Sequence, residues 1–142
     1  MIINKEHKST GISKGYKQLI SEAAEEVKTY STADGIKRFG DDGVTFVDVR
    51  DTSESLEHGE IPGAVHAPRG MLEFHIDPES PYFISEFGDD SEFVFVCAIG
   101  SRSLLAAQRA KEMGLTRVAN IEGGFNAWRE AGGAIDGPRP TM

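Results

Sequence analysis

Phe93-Val94-Phe95-Val96-Cys97-Ala98-Ile99-Gly100-Ser101-Arg102-Ser103 is the stretch that decides how this chain folds. Phe93 to Val96 are strand-forming residues without polar alternation, the pattern of a central parallel strand covered on both faces. From Ser103 to Met113 the residues are mostly helix formers, and Gly114 stands at the natural stop. Cys97, the chain's one cysteine, falls where strand gives way to loop. In a parallel sheet that edge is where ligands bind and where helix N-termini point.

The position favours chemistry on the sulfur. A helix N-terminus offers unpaired N–H groups and the positive end of the macrodipole, both of which stabilise an anion. Successive loop amides can add hydrogen bonds. Gly100 lets the backbone curl without a Cβ clash, and Arg102 supplies a fixed cation. Lone cysteines are often small buried hydrophobes. The loop, helix and arginine beside Cys97 argue instead for a nucleophile.

Cys97-Ala98-Ile99-Gly100-Ser101-Arg102-Ser103 resembles the C-x-x-G-x-R-S active-site loop of rhodanese-domain sulfurtransferases. Val47-Asp48-Val49-Arg50 with Gly59-Glu60-Ile61-Pro62-Gly63-Ala64 resembles an upstream signature of that family. Asn120-Ile121-Glu122-Gly123-Gly124-Phe125-Asn126-Ala127-Trp128 with Ala131-Gly132 resembles a downstream one. Together they span roughly residues 30 to 133. The pattern departs at Glu60, where the family usually has histidine; that position belongs to a turn.

The resemblance implies an α/β, rhodanese-like fold: a five-stranded, mostly parallel sheet with helices on both faces. It implies that Cys97 takes the outer sulfur of a donor (thiosulfate or a persulfide) and holds it as a persulfide. An acceptor then removes it: cyanide, a small thiol or a thiol-bearing protein. Ala98, Ile99, Gly100, Ser101 and Arg102 would be the substrate-binding loop, its amides and Arg102 stabilising the persulfide anion. Ser103 would hold the loop by bonding its backbone or the sulfur. Arg102 is the loop's only cation, and Ile99 offers apolar surface, so a persulfide donor is expected to outperform dianionic thiosulfate.

A chain of 142 residues, 39% hydrophobic and 27% charged, suits one soluble domain able to fold without a disulfide or metal staple. One cysteine cannot form an internal disulfide, which fits a reducing compartment. The N-terminus lacks an apolar signal core and no window approaches a membrane span, so the cytoplasm is the default. A net charge of −8 argues against nucleic acid and anionic membrane as partners. His7, His58, His66 and His75 lack metal-ligand spacing, and no nucleotide-binding glycine motif is present, so neither metal nor cofactor is expected.

Residues 1–12 read as a loose tail and 13–30 as an amphipathic helix packed on the domain, capped by Ser13. The rhodanese-like domain is expected over 31–135 and a flexible tail over 136–142. Ser31 with Asp34 predicts a capped short helix to Phe39, and Asp51 with Glu54 another ending at Gly59. Val44 to Val49 predicts a strand; Asp48 near its end and Arg50 read better as ties between neighbouring loops than as acid and base. Residues 67–92 are the least determined part, with Arg69, Phe74 and His75 as candidate pocket residues. Trp128 reads as a core anchor.

Two rival functions share this fold class. A cysteine phosphatase or arsenate reductase uses a C-x5-R cradle, one residue longer than the interval from Cys97 to Arg102. A non-catalytic binding module would not need Cys97, Gly100 and Arg102 together.

Overall fold

The computed structural model describes residues 11–138 of the chain. The elements in order are α1 (Tyr16–Glu26), β1 (Lys28–Tyr30), α2 (Thr32–Arg38), β2 (Val44–Asp48), α3 (Thr52–His58), β3 (Val65–His66), α4 (Leu72–Ile76), β4 (Glu92–Val96), α5 (Ser101–Glu112), β5 (Val118–Ile121) and α6 (Gly124–Glu130). Short 3-10 turns occupy Arg69–Met71 and Ser85–Gly88. The five strands form one sheet in the order β1-β5-β4-β2-β3, and every ladder is parallel. This is the α/β architecture expected, with β4 at the centre.

Strand β4 is buried along its whole length because its side chains alternate between two cores. Phe93, Phe95 and, one residue past the strand, Cys97 enter the layer under α1, α4 and α5, with Ala23, Leu72, Leu104 and Ala107. Val94 and Val96 enter the opposite layer with Phe46, Ile121, Phe125 and Trp128. Trp128 anchors this second core, its ring 5.4 Å from Phe46 and its indole N–H donating to the Ala134 carbonyl at 2.8 Å. Both predicted caps are present. The Ser31 hydroxyl accepts from the Asp34 amide at 3.1 Å, and Asp51 with Glu54 forms a capping box on α3.

Three expectations need correction. The helix read through to Tyr30 ends at Glu26; Val27 is already extended, and Lys28–Tyr30 is an edge strand paired with Ala119 to Ile121. Val27 and Tyr30, three apart, keep helical spacing, but the structure places them on opposite faces of the sheet, against different cores, and the pairing with β5 decides for strand. The residue preceding α1 is Gly15, and Ser13 makes no cap. The tail expected from residue 136 is held at its first residue: the Asp136 and Glu60 backbones exchange N–H to carbonyl bonds at 2.8 and 2.9 Å. Residues 1–10 and 139–142 of the two expected tails lie outside the described residues.

Candidate active site

Cys97 lies one residue beyond β4 and is fully buried. The loop then turns through Gly100, whose φ of 108° is a left-handed value that glycine adopts without strain, and enters α5 at Ser101. This turn aims the Gly100 amide at the sulfur, 3.1 Å from Cys97 Sγ. The Ser103 hydroxyl, on the first turn of α5 and fully buried, is 3.3 Å from the same sulfur.

The second wall comes from the turn into α6. Phe125 N–H donates to the Cys97 carbonyl at 2.7 Å, and Asn126 N–H to the Ala98 carbonyl at 3.1 Å. Such close docking requires glycine at 124: a Cβ there would sit 2.5 Å from the Cys97 carbonyl oxygen, and φ is +61°. The downstream Gly123-Gly124 pair is therefore part of the site's construction.

Among the loop residues, Ile99 is 66% exposed, and with Gly100 and Ser101 it lines a cavity of about 270 Å³ shared with Ile20, Leu104 and Asn120. Arg102, expected from the resemblance to stabilise the persulfide anion, is engaged by a carboxylate. Its two terminal nitrogens each donate to a Glu54 carboxylate oxygen at 2.9 Å. This pairing holds the Glu54 carboxyl down to about 2 and raises Arg102 further above its ordinary value.

Asp48 and Arg50 are buried and bonded to each other, with Arg50 Nη2 2.7 Å from Asp48 Oδ2. Arg50 also donates to the Gly59 carbonyl at 2.8 Å and stacks 4.2 Å from the Phe125 ring centre. The pair thus ties the end of β2 to the end of α3 and to α6, the structural role read from the sequence.

Arg69, Phe74 and His75 are not among the residues that hydrogen-bond the sulfur, which are Gly100 and Ser103. The Arg69 guanidinium donates to Glu73 at 3.1 Å, and the residue lines a separate cavity with Leu19 and Arg109. Phe74 is 53% exposed. His75 Nδ1 is 2.9 Å from the Tyr82 carbonyl oxygen, which can only accept, so that nitrogen is the donor.

Two residues with direct roles in the geometry were missed by sequence reasoning. Glu54 was read only as a cap. Asn120, 3% exposed on β5, lies 2.6 Å from Ser103 through Oδ1 and donates from Nδ2 to the Gly100 carbonyl at 3.2 Å. Its signal was a polar residue on a strand otherwise apolar, facing the same layer as Val118. Among the described residues no cluster of three or more His, Cys, Asp or Glu could hold a metal, and no helix is long and apolar enough to cross a membrane.

Residues 31–131 match the model of a family described as the rhodanese-like domain. The chain is similar to the thiosulfate sulfurtransferase GlpE of Shewanella oneidensis, 37% identical over 89 residues, 62% of this chain and 78% of the relative. It is 34% identical to the human thiosulfate:glutathione sulfurtransferase over 89 residues, 58% of this chain and 76% of the relative. Among solved structures, a protein of unknown function from Rhodopseudomonas palustris, described as a possible tyrosine phosphatase, superposes with a TM-score of 0.87. That pair shares 49% identity over 91% of this chain and 99% of the other.

Proposed function

The chain belongs to the rhodanese-like domain family, and from that premise we propose that it moves sulfane sulfur through a persulfide on Cys97. The observation that carries this reading is the pair of donors around one buried sulfur: the Gly100 amide at 3.1 Å and the Ser103 hydroxyl at 3.3 Å. The amide is already aimed at negative charge on Cys97, and the hydroxyl lies within reach of the same sulfur.

The Cys97 thiolate attacks the outer sulfur of the donor. A new S–S bond forms as the donor's own bond to that sulfur breaks. Thiosulfate leaves as sulfite; an organic persulfide, R–S–SH, leaves as the thiolate R–S⁻, its proton passing to the enzyme persulfide. In the second half, cyanide or a thiolate attacks the outer sulfur, leaves as thiocyanate or a new persulfide, and regenerates the Cys97 thiolate. No external oxidant or reductant is needed, and the covalent intermediate predicts ping-pong kinetics. Ala98, Ile99, Gly100 and Ser101 line the donor's approach, and Ser103 supports the loop. A free thiol nucleophile suits a reducing compartment such as the cytoplasm.

The preferred donor in this reading is an organic or protein-borne persulfide. Arg102, the loop's only cation, is committed to Glu54, and exposed Ile99 presents apolar surface. Little positive charge then remains to hold a dianion.

The description of the Rhodopseudomonas palustris neighbour brings in a second reading, phosphate-ester hydrolysis. Two features disfavour it here. Four residues separate Cys97 and Arg102, one fewer than in the C-x5-R cradle, and the guanidinium that would grip a phosphate is bonded to Glu54.

Intact-mass spectrometry after incubation with thiosulfate or a persulfide tests the proposal. The protein should gain one sulfur atom, lose it to cyanide, and gain nothing as Cys97→Ser. An adduct persisting in that variant, or phosphatase turnover without any adduct, refutes it.

A further inference from the structure

The donors around Cys97 do not act independently, because they belong to a closed ring of hydrogen bonds. The ring runs from Cys97 Sγ to Ser103 Oγ (3.3 Å), to Asn120 Oδ1 (2.6 Å), from Asn120 Nδ2 to the Gly100 carbonyl (3.2 Å), and from the Gly100 amide back to Sγ (3.1 Å). Chemistry fixes the direction of each link. The Gly100 carbonyl can only accept, so the Asn120 amide must turn its NH₂ toward it and its oxygen toward Ser103. That oxygen can also only accept. The Ser103 hydroxyl owns one proton and faces two claimants, Asn120 Oδ1 and the sulfur, and the shorter contact is to Asn120.

While Cys97 is a neutral thiol all four links are satisfied: S–H donates to Ser103 Oγ, and Ser103 donates to Asn120. Once the sulfur is an anion, as thiolate or persulfide, the Ser103 oxygen would turn a lone pair on it unless the proton swings over. That swing leaves Asn120 Oδ1, in a residue 3% exposed, without its donor. The nearby charges are already paired, Arg102 with Glu54 and Arg50 with Asp48, leaving the hydroxyl proton as the movable donor.

We propose that Asn120 is a positioning residue that competes with the Cys97 sulfur for the Ser103 proton, holding the resting site in its thiol form and yielding the proton when the sulfur becomes anionic. This rests on the reading of Cys97 as nucleophile and adds what restrains it.

The test is the rate of Cys97 alkylation by iodoacetamide at one neutral pH, in the full chain. Asn120→Ala and Asn120→Asp are each measured with and without Ser103→Ala. Removing the competing acceptor with Asn120→Ala should raise the rate by about 3- to 10-fold, the range for the net contribution of one ordinary hydrogen bond. The gain should vanish when Ser103→Ala is added. Asn120→Asp, similar in size and a stronger claimant for the proton, should fall below wild type. A merely structural role predicts neither an increase nor its dependence on Ser103. An unchanged or slower Asn120→Ala, or a gain that survives Ser103→Ala, overturns the proposal. Should circular dichroism find Asn120→Ala unfolded, Asn120→Asp decides, and a rate above wild type overturns it. Alkylation reads the thiol whether or not sulfur is transferred, so failure to load sulfur would refute the sulfurtransferase reading separately.

Discussion

Arg102 closes both arms of its guanidinium on the carboxylate of Glu54, each at 2.9 Å, joining the start of α5 to the first turn of α3. The residues lie 48 positions apart in the chain. Glu54 simultaneously accepts from the Asp51 amide at 3.0 Å, so one carboxylate serves as both helix cap and partner to the loop's arginine.

Glu54→Gln should remove the charge while keeping the cap, since glutamine also serves in a capping box. The Glu54 carboxyl is held at about 2 in the fold against an ordinary 4.5, so the pair stabilises the folded state above about pH 4.5. That contribution fades as pH falls toward 2. Because Arg102 is 41% exposed, the loss at neutral pH should be about 1 kcal/mol. Urea titrations of both proteins across this range should show a stability gap above pH 4.5 that closes toward pH 2; a gap widening in acid contradicts the sign.

Freeing Arg102 should also alter donor choice. Glu54→Gln unmasks the Arg102 charge and Ile99→Lys adds a cation to the loop, and both should raise kcat/KM for thiosulfate relative to a persulfide. The gain should shrink with salt, since exposed charges are screened over about 10 Å at 0.1 M. A wild type that already favours thiosulfate, with both variants unchanged, would remove loop charge as the selector.

Arg50→Met leaves Asp48 as a buried carboxylate without its partner. Breaking a buried pair this way costs about 3–5 kcal/mol. Adding Asp48→Asn should restore part of the loss, because the uncompensated charge is gone. Chemical denaturation of the single and double variants measures both effects; equal stabilities would mean that the pair is not what ties β2 to its neighbours.

Gly124→Ala should disturb the site more than its size suggests. The new Cβ would meet the Cys97 and Ala98 carbonyl groups at 2.5–2.6 Å, forcing α6 away from the loop. Gly43→Ala, at a φ of +75° with nothing within 4 Å, isolates the backbone effect, about 1–2 kcal/mol. Gly124→Ala should cost more than that, and sulfur transfer should fall at least about tenfold as the loop shifts. Equal losses in the two variants would show that the close approach is unimportant.

The strand, loop and helix around Cys97 were legible because their signals are local. An unbroken apolar run, a glycine at the turn and a following block of helix formers leave little choice of conformation. The caps at Ser31 and Asp51 were legible for the same reason, their partners lying three residues away. Lys28 to Tyr30 misled because Val27 and Tyr30 keep helical spacing, while the partner that makes the segment a strand, Ala119 to Ile121, lies about 90 positions away. Asp136 misled because its partner, Glu60, lies on a distant turn.

The sequence by itself determined the alternation of strands and helices around the central strand, its parallel character and the placing of one cysteine at a strand end before a helix. Backbone conformation and face of burial follow from residues a few positions apart. Tertiary structure decided how the polar groups are spent. Arg102 became half of an ion pair because α3 folds beside α5, and Asn120 entered the sulfur's ring because β5 lies beside β4 in register, Phe95 opposite Asn120. A buried polar side chain must satisfy its hydrogen bonds with whatever lies within about 3 Å, and those neighbours are set by packing between elements far apart in the chain.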